Sequence, residues 1–231
     1  PDDRFYQLGT LAGRVATALA TLKMHPAAKR PSRWNMISCI NVIRRHAAFV
    51  EDPSNSSLLD RLVDTHGLCL DSNHLRCQII HGNINHRNVI VLPSSNPFAI
   101  HGFAGVSYSF LAAELATTCA YALLARLGQH PGSVILPIIQ NFHRQCPLAQ
   151  EELACLWSLI ALRLAVFVSI SAHTRSITKG REPVSCSEQP AWTILRQYGL
   201  SPESDEISKR ISESICLLDP LPATLSESVS N

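Results

Sequence analysis

Apolar residues recur at intervals of three and four near the start of the chain. Leu8, Leu11, Val15, Leu19 and Leu22 fall on one face of a helix over 8–22, with Thr10 and Arg14 off that face. The same spacing predicts a second helix over 34–50. The cluster Glu51, Asp52, Pro53, Ser54 and Asn55 ends it, because proline disfavours helical backbone in the residue before it. A third helical stretch opens at Ser57 and runs through Leu58, Leu59, Leu62 and Val63. After Gly67 the pattern changes period: β-branched runs at 77–80 and 88–92, then Phe98, Ala99 and Ile100 beyond the 93–97 segment, predict short strands around a loop.

Helix returns at 112–127 and at 153–172, each apolar on most sides and therefore central to the core. The second is about as long as a bilayer-spanning helix. Arg163 at its middle, Ser158 beside it and the acidic pair Glu151 and Glu152 before it place it instead inside a soluble domain. Ser201 reads as a helix N-cap with Pro202 at the first helical position, and Ile207, Ile211 and Ile215 then share one face of a last docking helix. Residues 220–231 are rich in Ser and offer little to bury, which predicts a flexible tail after a single lobe over 1–219.

With 231 residues, 46% of them hydrophobic, the chain can bury one sizeable core. The formal charge of +2 and the lack of an extended basic run remove the electrostatic footprint that nucleic acid requires. The eight cysteines are scattered without a C-x-x-C pair, and read as reduced thiols of a cytoplasmic protein rather than a disulfide frame or zinc site. The opening Pro1, Asp2, Asp3, Arg4 lacks the features of a signal peptide. Neither a nucleic-acid nor a membrane partner is expected. His81, His86 and His101 lack the spaced partners of a zinc site. Trp157, among leucines at helical spacing, is read as core.

The segment that carries chemistry is His81, Gly82, Asn83, Ile84, Asn85, His86, Arg87 and Asn88, between two strand runs. It resembles the catalytic loop of the aminoglycoside phosphotransferase family, H-G-D-x-x-x-x-N followed by an apolar strand. The resemblance implies that the Asp orients the acceptor hydroxyl and takes its proton, and that the Asn five residues later holds magnesium, as in kinases. His81, Gly82 and Asn88 match; Asn83 stands at the catalytic Asp position. The stretch from Ile100 onward is similar to the family's I-D-F-G-D segment and its following helix. Aligned from Tyr108, Ser109, Glu114, Leu115 and Ala116, the metal-binding Asp falls on Gly102 and a second acidic position on Gly105, while Phe103 keeps the aromatic. Segments at 25–28, 33–35, 147–152, 161–166 and 188–192 resemble the hydroxylysine kinase branch, so the similarity covers most of the chain from Leu8 to about Leu218.

The resemblance implies a mostly α (α+β) fold, a kinase-like C-terminal lobe with a small β hairpin and no N-terminal lobe. The hairpin is expected from the runs around Ile79, Val89 and Ile100, with Asn83, Asn88 and Gly102 around one cleft and His81 bonding nearby backbone. It also implies ATP or GTP with Mg2+, and phosphate transfer to a hydroxyl of a small amino alcohol or amino acid. Two substitutions oppose that activity. The Asn83 amide accepts no proton, and Gly102 offers no anionic oxygen to a hard cation. None of the ten glycines forms G-x-G-x-x-G either. The expectation is therefore a family member without activity in this chain. The alternatives are a pseudokinase-type module, with a protein partner over an exposed apolar cleft, and a truncated product.

Overall fold

The computed structural model describes residues 3–71, 74–91, 98–178 and 187–218, and the 220–231 tail and Cys186 lie outside them. The helices are α1 (Asp3–Ala20), α2 (Cys39–Ala47), α3 (Pro53–His66), α4 (Leu111–Leu124), α5 (Pro131–Gln145), α6 (Gln150–Ala154), α7 (Leu156–Thr178), α8 (Gln189–Tyr198) and α9 (Pro202–Cys216). The strands are β1 (Cys77–Ile80), β2 (Val89–Val91), β3 (Phe98–Ile100) and β4 (Ser107–Phe110).

α7 is the axis of the core. Every residue from Leu156 to Ala172 except Ser158 is buried, and α2, α3, α4 and α8 pack around it. It is the one described helix long and apolar enough to cross a membrane, yet 89% of its apolar window is covered by the rest of the fold. A helix buried on all sides needs no amphipathic stripe, which is why its sequence is apolar all round. The predicted 153–172 helix is in fact two pieces, α6 and α7, broken at Cys155.

α1 packs along α5, and the packing is close. A Cβ at Gly9 would overlap the Ile138 carbonyl, and one at Gly13 would lie 2.8 Å from the Phe142 carbonyl oxygen. α5 was not among the predicted elements. Pro131 opens it under a His130 cap, Gly132 N donating to His130 Nδ1 at 3.1 Å. Pro137 interrupts its ladder, yet Val134, Ile135, Ile138, Ile139 and Phe142 bury one face.

Two further expectations change. The expected 34–50 helix is shorter: α2 covers only Cys39–Ala47 and stops before the Asp52 and Pro53 cluster, which instead starts α3, Asp52 Oδ1 accepting the Ser54 N–H at 2.9 Å with proline at the first helical turn. The three strand runs do not form one hairpin. β2 and β3 pair as predicted, Val89 opposite Ile100, whereas β1 pairs antiparallel with β4, Ile79 opposite Tyr108. β4 escapes a hydrophobic-pattern reading because Ser107 and Ser109 are buried positions, so the strand shows no apolar alternation.

Candidate active site

The loop between β1 and β2 is fixed from below. Glu114, fully buried in the first turn of α4, accepts the His81 N–H on Oε2 at 2.5 Å and the Gly82 N–H on Oε1 at 3.1 Å. Gly82 takes a positive φ of 67°, the left-handed turn that glycine adopts without a Cβ penalty. His81, fully buried, then ties the loop sideways: Nε2 lies 3.0 Å from the His101 carbonyl oxygen, and the Asn83 N–H donates to Nδ1 at 3.3 Å. Nδ1 as acceptor makes Nε2 the protonated nitrogen, the neutral tautomer that donates to His101. Burial pushes the His81 pKa down, in keeping with that neutral ring. The expected role of His81, bonding nearby backbone, is met. His86 is exposed.

Asn83, Asn88 and Gly102 are brought together. Asn88 Nδ2 donates to the Asn83 carbonyl at 2.8 Å, and the His101 N–H donates to the Asn88 carbonyl at 3.0 Å. Gly102 has φ 84°, and a Cβ there would overlap Asn88 Oδ1 and lie 2.7 Å from Asn88 Cγ. Asn83 Oδ1 accepts from Asn85 Nδ2 at 2.6 Å, so its amide is turned into the loop. Gly105 stands over the loop, with a would-be Cβ 3.4 Å from the His81 carbonyl oxygen.

These residues do not fit a magnesium ion. A hard cation needs several oxygens including a carboxylate. Asn83, Asn88, Gly102 and Gly105 supply none, and the Asn88 amide fills the space beside Gly102. Glu114 is spent on two backbone N–H groups, and burial pushes its pKa up to about 7. Among the described residues no group of three His, Cys, Asp or Glu could hold a metal ion.

Beside Asn83 opens a cavity of about 40 Å³, lined in part by Trp34, Asn35, Gly82, Ser107 and Ser109. Ser109 Oγ is buried there without a hydrogen-bond partner. Trp34 is held in place by Arg163, the fully buried cation of α7: Nη1 donates to the Trp34 carbonyl at 2.8 Å, and the guanidinium lies 4.9 Å from the Trp34 ring and 5.8 Å from that of Tyr121. Burial lowers the Arg163 pKa, and Nε and Nη2 have no hydrogen-bond partner. Ile90 and Val91 of β2 are exposed, as is Phe103, which lies edge-on to the His81 ring. The sequence motif located the loop, but it did not show that Glu114 holds it or that Arg163 holds Trp34; the signal available was only a charged residue within each apolar helix.

No family model matches the chain. A hydroxylysine kinase of Xenopus laevis is 24% identical over 208 residues, covering 83% of this chain and 54% of that protein. The chain thus spans about half the length of the curated relatives it matches. A microcompartment-associated aminopropanol kinase superposes with a TM-score of 0.58 at 13% identity, over 94% of this chain and 63% of that one. An aminoglycoside phosphotransferase from Alicyclobacillus acidocaldarius gives 0.55 at 10% identity, over 94% of this chain and 68% of that one. Helical lobe, short antiparallel sheets and loop together form a kinase-like fold shared with these small-molecule kinases. In sequence the chain is similar to hydroxylysine kinases, and in structure to aminoglycoside phosphotransferases and related small-molecule kinases.

Proposed function

We propose that the chain is a phosphotransferase relative whose cleft is retained for binding and does not transfer phosphate. One observation carries this reading: the Asn88 amide occupies the space that any side chain at Gly102 would need, and is tied to the Asn83 carbonyl. With an amide at Asn83 and no carboxylate at Gly102, nothing takes the acceptor's proton and nothing neutralises a metal on the phosphates. The likeness to hydroxylysine and aminopropanol kinases supports a small amino alcohol or amino acid as the compound held, with Asn35, Asn83 and Ser109 offering partners to one of its polar groups. The test is incubation with ATP or GTP, Mg2+ and hydroxylysine or an aminoglycoside, using both this chain and the longest natural product that contains it. No labelled phosphate should appear above a boiled control. Transfer by either protein would overturn the reading.

A second reading is favoured by the exposure of Ile90, Val91 and Phe103 at 45%, 67% and 49%. Apolar side chains on a short strand and a neighbouring turn suit a protein contact over the cleft. Sedimentation of the wild type beside an Ile90→Ser, Val91→Ser variant tests it. Self-association lost in the variant supports that contact, and a monomeric wild type counts against it.

A further inference from the structure

Cys69, on the single-turn 3-10 helix Gly67–Asp71 that follows α3, and Cys155, at the break between α6 and α7, are 86 positions apart in sequence and adjacent in the fold. The Cys155 thiol reaches toward the Cys69 carbonyl oxygen, Sγ to O 4.0 Å, and the two side chains are close enough to influence each other's ionisation. Cys69 Sγ also lies 3.0 Å from the His66 carbonyl oxygen, which holds its side chain on this side of the turn. Both residues are half-buried, within reach of a small reagent, whereas Cys39 and Cys119 are fully enclosed. We propose that Cys69 and Cys155 are a reversible modification site, a dithiol that small disulfides oxidise to an intramolecular disulfide. The proposal is independent of whether the cleft transfers phosphate.

The pair is asymmetric in a useful way. The Cys69 side chain beside it lowers the Cys155 pKa, against burial and the Glu151 and Glu152 charges, which raise it, so Cys155 is the more readily ionised of the two thiols. Cys69, next to Cys155 and shielded from water, is pushed well above the ordinary thiol range. Cys155 is then the attacking group. Its thiolate displaces one glutathione thiolate from oxidised glutathione, breaking that S–S bond and forming a mixed disulfide. With the Cys155 charge gone, Cys69 loses its proton to water more readily. Its sulfur attacks Cys155 Sγ, forms the internal S–S bond and releases the second glutathione. Two protein thiols are oxidised and one glutathione disulfide is reduced to two thiols.

The consequence reaches the candidate site. Three positions before Cys155, buried Glu152 receives the Arg76 Nη2 at 2.6 Å and the Arg76 N–H at 3.2 Å, and Arg76 leads straight into β1 and His81. A Cys69–Cys155 bond would fasten the chain on both sides of that entry.

The wild-type chain is treated with oxidised glutathione and mapped by mass spectrometry of unreduced peptides. Loss of two hydrogens, a Cys69–Cys155 linked peptide, reversal by dithiothreitol and a rise in melting temperature of about 5–10 °C are expected. Cys69→Ser should stop at a glutathione adduct on Cys155, and Cys155→Ser should leave Cys69 unmodified. If either variant fails to fold, the wild-type map decides alone. Glutathione remaining on wild-type Cys155, a bridge from either residue to Cys39, or no reaction would each overturn the assignment.

Discussion

Glu114 and His81 stand 33 positions apart in sequence, and the Glu114 carboxyl accepts the His81 backbone N–H at 2.5 Å. This bond lets a helix of the core dictate the shape of a surface loop. Its cost is a carboxyl taken wholly out of water, which neither the two N–H donors nor the more distant Arg163 charge fully offsets.

That cost should be visible as a pH dependence of stability. Burial raises the Glu114 pKa from 4.5 to about 7, so between those values the folded chain keeps a proton that the unfolded chain has released. The stabilisation is therefore complete below about pH 4.5 and is lost as pH rises through 7, by on the order of 3 kcal/mol. Urea unfolding of the wild type and Glu114→Gln across that window checks it: the difference between them should shift in favour of the variant as pH rises. Glu114→Ala should cost about 3 kcal/mol near pH 4.5, because two buried N–H groups lose their acceptor, and progressively less as pH rises toward 7 and the wild type gives up the Glu114 stabilisation.

Gly102 should resist a side chain. Its φ of 84° and the Asn88 amide at the Cβ position predict that Gly102→Ala costs about 1–3 kcal/mol in denaturant unfolding. Gly102→Asp alone should also destabilise, without gaining magnesium. Together with Asn83→Asp it should gain weak magnesium-dependent nucleotide binding, in the millimolar range, on the order of 4 kcal/mol. Calorimetric titration of the three variants with ATP and Mg2+ measures both points. Tight binding by the unmodified chain would contradict the account of the site.

Gly9 marks the closest approach of α1 to α5. Gly9→Ala should lose about 1–3 kcal/mol, since the added methyl meets the Ile138 backbone and not a side chain that can rotate away. A Gly-to-Ala change at an exposed helical position would stabilise by up to about 1 kcal/mol, so the sign alone separates the two cases. A chemical denaturation midpoint suffices.

Arg163 is a buried cation with two polar nitrogens unmatched. Arg163→Met, of similar shape, should change stability by less than about 2 kcal/mol, because relief of the buried charge offsets the lost bond to the Trp34 carbonyl. Arg163→Ala should cost more than twice that by opening a cavity between Trp34 and Tyr121. Thermal and urea unfolding of both variants compare the two effects.

The sequence by itself determined the helical core, the loop and its likeness to a family. Periodicity at 8–22 and 201–216 is a local property of side chains along one helix, and the order His81, Gly82, Asn88, Phe103 is a local property of the chain. It also showed that the two acidic positions are occupied by Asn83 and Gly102. Tertiary structure alone decided the rest. β4 exists because β1 offers it a partner, although buried Ser107 and Ser109 hide it from any hydrophobic pattern. α5 survives Pro137 because packing against α1 replaces the lost ladder bond. The contacts of Glu114 with His81, of Arg163 with Trp34 and of Asn88 with the space beside Gly102 join residues whose separation in sequence carries no signal of proximity. Burial fixes their charge states and orientations, and burial is a property of the assembled fold.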